Sequence, residues 1–413
     1  MAERGYPSGV KRNQEAMSDR ELETRLNEAA ELLHLYDDVQ ILEDDEKFTE
    51  EERLKAAVPA LLSWFDRNAR ILPWREEPLP YYVWVSEIML QQTRVEAVKP
   101  YFERFLKALP EIRALAEADE DRLLKLWEGL GYYNRVRNMK KAAGEIVERY
   151  GGEMPSQYHE LLSLPGIGSY TAGAISSIAF GKKVPAVDGN VLRVISRVIE
   201  SRNDIAKDTT KKEMETLLLR VMPEDKPGEF NQALMEVGAT VCIPRGEPLC
   251  EECPFKSLCL SCLHGTTGEI PVKTAAKARR IEERTVLLIH DGKRVLVRKR
   301  PEKGLLAGLY EFPNVLGWLG EEEIKTQVCV LLEPDSAQKN GIENATVVPA
   351  GEATHIFSHV EWRMKGYLIR VPSDCLTKEK ATGIEQLKTE KAIPNAFAAY
   401  TRKITEILND DEK

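Results

Sequence analysis

No stretch of this sequence stays apolar for the roughly 20 residues that a membrane-spanning helix needs, so a helical membrane protein is excluded at the outset. The N-terminus has neither the apolar core of a secretory signal nor the acid-poor, Arg-rich pattern of a transit peptide, and a cytoplasmic location with no membrane partner is expected. Internal repeats and low-complexity tracts are also missing, which sets aside repeat arrays and low-complexity polymers. Positive charge is scarce: 58 Lys and Arg face 67 Asp and Glu, a net charge of −9. A deficit of that sign argues against a polyanionic partner, because phosphate binding is driven by Lys and Arg. Its distribution answers the objection. Residues 1–55 hold 8 Lys or Arg against 16 Asp or Glu, which leaves only −1 on the other 358 residues.

What is present points to several domains. At 413 residues the chain exceeds what one core usually organises, and 43% hydrophobic with 30% charged residues is ordinary for a soluble globular protein. Residues 1–53 read as an acidic extension in which Leu22, Leu26, Ala29, Ala30 and Leu33 fall at helical spacing. Residues 54–263 repeat apolar positions every three or four residues between Pro and Gly punctuation, as an all-α domain does. Residues 264–283 have few apolar anchors and a basic excess, and read as a linker. From 284 to 413 the period shortens: TVLLIH, the pair Asp291-Gly292 and RVLVRKR predict a β-hairpin closed by a type I′ turn, in a smaller α+β domain.

Five of the seven cysteines crowd between Cys242 and Cys262. Without an export signal, metal ligation is favoured over disulfides. Cys242, Cys250, Cys253 and Cys259 leave gaps of seven, two and five residues, four soft ligands that suit zinc or an iron-sulfur cluster equally on chemistry alone. A zinc ribbon usually shows two separated CxxC pairs, whereas here one CxxC is flanked by single cysteines, with Cys262 spare.

Two carboxylates stand out. Glu87 lies in VWVSEIMLQQT, where residues 83–90 are apolar except for Ser86 and Glu87. A carboxyl on a helix buried nearly all round is desolvated and its pKa rises; the alternative is a solvated stripe of Glu87, Gln91 and Arg94. Asp188, in VPAVDGNVLRV, stands just before a helical run, where Asp is a preferred N-cap. That place also fixes an ionised carboxylate, as stabilising a cationic sugar requires. A raised acid beside an ionised one is the pattern that cleaves glycosidic bonds. Between them, LPGIGSYTAGAI reads as a Gly hairpin opening a helix, with Gly166 and Gly168 placed to let the backbone approach a phosphate.

LPWR (72–75), SEIMLQQT (86–93), GLGYYNR (129–135), VDGNV (187–191) and FNQALMEVGA (230–239) together resemble the MutY family, within the helix-hairpin-helix endonuclease III superfamily. The match covers about residues 54–262. The resemblance implies a [4Fe-4S] cluster on Cys242, Cys250, Cys253 and Cys259, although the family usually has six residues, not seven, between its first two cysteines. It implies excision of flipped adenine opposite 8-oxoguanine or guanine in duplex DNA by a monomer associated with the nucleoid through that DNA. Glu87 would protonate adenine, Asp188 would stabilise the sugar cation, and Tyr170 and Asn190 would support them. Trp74, Arg75 and Gln232 would line the adenine pocket, while Gln92 and Tyr132 would enter the base stack. Lyase relatives carry a Schiff-base Lys where this chain has Tyr170, so base removal without strand cleavage is expected.

The hairpin and GLLAGLYEFP (304–313) resemble the Nudix-like domain appended to such enzymes. The stretch after Gly308 offers Glu321, Glu322 and Glu323 but not the REUxEExGU pattern that holds magnesium, so hydrolysis is not expected. The resemblance implies a reader of 8-oxoguanine with Phe357, Ser358 and His359 on its contact loop and Gly308 in a close turn. Cys329 and Cys375 read as core thiols.

Overall fold

The computed structural model describes residues 48–275, 278–376 and 381–410; the helix expected around Leu22–Leu33 lies outside them. Contacts set Met1–Arg53 apart from one compact unit, Leu54–Lys413. Among the described residues no helix is long and apolar enough to cross a membrane.

The compact unit has a helical lobe and a sheet lobe. Among the described residues twelve α-helices lead to the cysteine loop: α1 (Glu50–Asn68), α2 (Pro73–Glu76), α3 (Pro80–Leu90), α4 (Val95–Ala108), α5 (Ile112–Glu117), α6 (Glu120–Leu126), α7 (Asn134–Tyr150), α8 (Tyr158–Leu162), α9 (Ser169–Ala174), α10 (Gly189–Val198), α11 (Asp208–Val221) and α12 (Pro227–Thr240). Most are amphipathic; α4, for example, buries Val98, Phe102 and Phe105 along one stripe. The exception is α3, buried from Val83 to Met89, which makes it the central helix of the lobe. That burial places Glu87 in the interior, and because α3 ends at Leu90 the solvated stripe through Arg94 does not form.

In the sheet lobe, β1 (Arg280–His290), β2 (Arg294–Leu296), β5 (Asn314–Leu316), β6 (Val347–Ile356), β7 (Val360–Arg370) and β8 (Ala381–Gly383) form a mixed sheet of order β6-β7-β1-β2-β8, with β5 also on β1. The pair β3 (Arg298–Lys299) and β4 (Tyr310–Glu311) stands beside it. The long central strands β1 and β7 run parallel, from Arg280 opposite Val360 to His290 opposite Arg370.

Two expectations need correction. The β1–β2 connection is not a two-residue type I′ turn: His290 pairs with Val295, leaving four residues between. Of the pair only Gly292 has positive φ, whereas type I′ needs it at both central positions. The Asp291 carboxylate closes the loop instead, accepting from the amides of Lys293 at 2.9 Å and Arg294 at 2.7 Å. The segment 264–283 is also not a free linker. Ile270 is buried and its carbonyl accepts from Arg197 Nε at 2.7 Å, while residues 280–283 already belong to β1.

The lobes share packing. Leu309 and Ala392 from the sheet lobe sit in the helical core. Around them, Lys299 pairs with Asp121 at 2.7 Å, the Ile393 amide donates to Glu128 at 2.7 Å, and Asn395 donates to the Gly129 carbonyl at 2.9 Å. Arg137 donates to the Ala307 carbonyl at 2.7 Å. Gly308 has φ of +64°, and a Cβ there would come within 2.7 Å of Arg137 Nη2, so this turn requires glycine.

Candidate active site

A cavity of about 690 Å³ opens between α2, α3, α9, the start of α10 and α12. Trp74, Arg75, Glu87, Gln92, Tyr170, Asp188, Asn190 and Gln232 all line it. Residues scattered over about 160 positions of sequence thus face one space. Trp74 serves two surfaces, since it also packs edge-on against Phe102 with ring centroids 5.3 Å apart.

Tyr170 from α9 donates its hydroxyl to Glu87 Oε2 at 2.6 Å. Burial raises the Glu87 pKa to about 7; the Tyr170 hydrogen bond and the Arg75 cation oppose the rise and the Asp188 charge assists it. Burial, with both carboxylates nearby, pushes the Tyr170 phenol well above its ordinary range, so it acts as a neutral donor.

Asp188 caps α10. Its Oδ1 accepts from the amides of Asn190 at 2.9 Å and Val191 at 2.8 Å, while the Asn190 side chain donates to Oδ2 at 2.8 Å. Cap and oriented carboxylate are the same residue. Two neighbours not singled out from sequence hold this end of the helix. Arg193 donates to Asn190 Oδ1 at 3.0 Å and to the Cys242 carbonyl at 2.8 Å. Asn231, fully buried on α12, accepts from the Ala186 amide at 3.0 Å and donates to the Val184 carbonyl at 2.9 Å, fixing the loop that enters Asp188.

Arg75 reaches the cavity from one turn of helix and donates to Glu236 at 2.8 Å. Arg70 grips the same carboxylate through Nε at 2.5 Å and Nη2 at 3.0 Å. Neither Arg70 nor Glu236 stands out in the sequence, because their partners lie more than 160 residues away.

A second cavity, of about 760 Å³, lies between the lobes and shares Gln91 with the first. It gathers Tyr132, Gly166, Phe357, Ser358 and His359. The last three form the β6–β7 turn, where Phe357 packs edge-on against Trp362 at 4.9 Å. Tyr132 is half exposed, and both Tyr132 and Gln92 hold positive φ, 47° and 58°. Non-glycine residues pay strain for that conformation and cluster at functional sites. Arg135, the last residue of GLGYYNR, stabilises both ends of this region: it donates to the carbonyls of Ile88, Met89 and Gln91 at the end of α3 and to Leu130 and Gly131 in the turn. At the hairpin, Gly166 has φ of +77° and lies against Asn138; Gly168 is extended, with open space where a Cβ would point. Lys211 from α11 joins the hairpin by donating to Ser169 at 3.0 Å.

The five clustered cysteines line one small pocket with Arg197, which donates to Cys242 Sγ at 3.2 Å. Burial pushes Cys253 and Cys259 up to about 12, and the neighbouring cysteines add to the rise. Among the described residues, no three His, Cys, Asp or Glu side chains converge tightly enough for a single metal ion. A cubane makes no such demand, because each of its irons takes one thiolate. Cys375 is buried in the sheet-lobe core and Cys329 packs against that core.

Residues 85–223 match the HhH-GPD superfamily base excision DNA repair protein family, and residues 284–406 the NUDIX domain family. The adenine DNA glycosylase of Homo sapiens is 32% identical over 99% of this chain and 80% of its own length. That of Mus musculus is 34% identical over 85% of this chain and 77% of its own. Among solved structures, a thermostable thymine-DNA glycosylase aligns over 51% of this chain and 96% of its own at 29% identity, with a TM-score of 0.46. With a helix-hairpin-helix lobe, a Nudix-like sheet lobe and relatives matched along most of its length, this chain belongs to the adenine DNA glycosylase family and is a base-excision DNA glycosylase.

Proposed function

We propose that the chain is a monofunctional, monomeric glycosylase that hydrolyses the N-glycosidic bond of adenine opposite 8-oxoguanine, or guanine, in duplex DNA. The observation that carries this reading is the Tyr170 hydroxyl held on one oxygen of a buried Glu87, beside the capped carboxylate of Asp188.

Adenine flipped from the duplex enters between Trp74, Arg75 and Gln232. Glu87 Oε2 accepts from Tyr170, so the carboxyl proton sits on Oε1, and that oxygen delivers it to adenine N7. The C1′–N9 bond breaks, its electron pair leaves with adenine, and an oxocarbenium-like sugar remains. Asp188, held at both oxygens, meets that charge without reorganising. Water adds to C1′ and its proton goes to Glu87. Tyr170 offers no amine, so no Schiff base forms and the strand stays intact. Tyr132 and Gln92 enter the base stack, Gly166 and Gly168 hold backbone phosphate, and Phe357, Ser358 and His359 face the 8-oxoguanine strand across the second cavity.

Cys242, Cys250, Cys253 and Cys259 would hold a [4Fe-4S] cluster, with Cys262 in the same pocket. The convergence of five cysteine thiols on one pocket supports this, and binding would displace the thiol protons. A cluster there would cross-link the loop after α12 to itself, beside Arg197 of α10. Brown protein with broad visible absorption is expected, and a colourless zinc-loaded preparation would refute it.

The test of function is duplex containing adenine opposite 8-oxoguanine, incubated with and without alkali. Cleavage only after alkali, and none with Glu87→Gln, is expected. Breaks without alkali would make the enzyme a lyase, and no abasic product would sink the reading.

A further inference from the structure

Of the groups around the main cavity, the mechanism leaves one buried charge unused. Glu236, on α12, is 1% exposed, yet its carboxylate lies in the cavity wall with Arg70 and Arg75. Its Oε1 accepts from the Arg70 amide at 3.1 Å and from Arg70 Nε at 2.5 Å; its Oε2 accepts from Arg70 Nη2 at 3.0 Å and Arg75 Nη2 at 2.8 Å. Arg75 Nη1 closes the ring by donating to the Arg70 carbonyl at 3.1 Å. So complete a set of partners is what a buried carboxylate needs to stay ionised.

The clasp matters because of what holds Arg75. Helix α2 is four residues long and has no side-chain cap at its N-terminus. A single turn of helix does not persist by itself, so Arg75 is aimed by its partners, and Glu236 brings them from a 14-residue helix packed into the core. Two of the sequence motifs, LPWR and FNQALMEVGA, are thus tied together by one carboxylate.

The groups facing Glu87 are Tyr170 from α9, Asp188 at the cap of α10 and Arg75 from α2. Those facing the clasp are Arg70, Arg75 and, from α4, Glu96 near Arg70. Arg75 is therefore the one cation in both sets. The trio Arg70, Arg75 and Glu236 carries a net charge of +1, and how much of that charge Glu87 feels depends on Glu236.

We propose that Glu236 is a positioning residue of the reaction: it touches no reacting atom, but it aims Arg75 into the adenine pocket and moderates the positive field on Glu87. The inference rests on Glu87 being the acid, and it assigns a function to a carboxylate that packing alone would leave as a structural ion pair. Removing the anion raises the trio to +2, which favours ionised Glu87; removing one cation lowers it to 0, which favours protonated Glu87.

The experiment is single-turnover excision of adenine opposite 8-oxoguanine between about pH 5.5 and 9, where loss of the Glu87 proton sets the alkaline limb. Glu236→Gln should slow excision about tenfold and move that limb to lower pH by about half a unit or more. Arg70→Gln should move it to higher pH, and Glu236→Asp, which keeps the charge, should leave the limb near the wild-type position while lowering the rate. A limb that stays in place in both Glu236→Gln and Arg70→Gln, whatever the rate, overturns the proposal. Should Glu236→Gln fail to fold, an unmoved or downward limb in Arg70→Gln overturns it alone. Wild-type excision abolished by Glu87→Gln keeps the functional reading intact in either case, whereas activity that survives Glu87→Gln fails that reading first.

Discussion

Glu311 of the sheet lobe and Glu87 of the helical lobe are both buried, and they meet different partners. In the sheet lobe Glu311, 2% exposed, accepts from Arg298 at 2.9 Å, from Arg300 and from the Asn314 amide at 2.9 Å. In the helical lobe Glu87, 5% exposed, accepts instead from the uncharged Tyr170 hydroxyl. Burial is nearly equal, so burial does not separate a structural carboxylate from a reactive one. Charge pairing does. Two guanidiniums pair with Glu311, whereas Glu87, beside another carboxylate and with Arg75 engaged by Glu236, is left able to hold a proton near neutral pH.

The sharpest way to break that contrast is to remove the acid. Glu87→Gln should lower the single-turnover rate by about 10³-fold, the range expected of a general acid, while the fold survives. The converse belongs to the sheet lobe. Glu311→Gln leaves the exposed Arg298 and the partly buried Arg300 short of an anion and should cost about 3 kcal/mol of stability by denaturant melting, with excision by the remaining folded protein retained.

A third effect has a sign opposite to the second. The folded-state pKa of Glu87 is raised to about 7 from an ordinary value of 4.5. Below pH 4.5 both states hold the proton; as pH rises through 7 the folded state must ionise a buried group, and stability is lost. Glu87→Gln should therefore stabilise the protein above pH 7, by up to about 3 kcal/mol, and not below pH 4.5. Melting at about pH 4.5 and about pH 8 measures the difference. Equal shifts at both would mean that the carboxyl is not held protonated by burial. The smallest effect is expected of Tyr170→Phe, about tenfold in rate. The hydrogen bond that lowers the Glu87 pKa would be gone, so the alkaline limb should move up.

Much of the site is legible in sequence, for local reasons. Glu87 is marked by a helix apolar all round, and Asp188 by its place before a helical run, signals carried within a few residues. The pairings that complete the site are not local. Arg70 and Arg75 meet Glu236 across 166 and 161 residues, and Arg193 reaches Cys242 across 49, so no local pattern marks these pairings. The strand end misread as linker fails for a related reason. Residues 280–283 are charged apart from Ile281 because they pair with the start of β7 at an exposed end of the sheet, where Arg280, Arg284 and Trp362 satisfy Glu282. Parallel pairing to a strand 80 residues later leaves no alternation to read locally. The Asp-Gly turn misled because an Asp carboxylate can close a wider loop by itself.

Leu309 and Ala392 give the interface between the lobes a wider consequence. Both belong to the sheet lobe by sequence, but their side chains fill the interior that surrounds Trp127 and Phe105. A cut in the connecting segment would not release two independent domains; it would unroof a core. The glycosylase lobe and the Nudix-like lobe are then housed in a single melting unit, and the portion that evolution can exchange is smaller than the portion that must fold together.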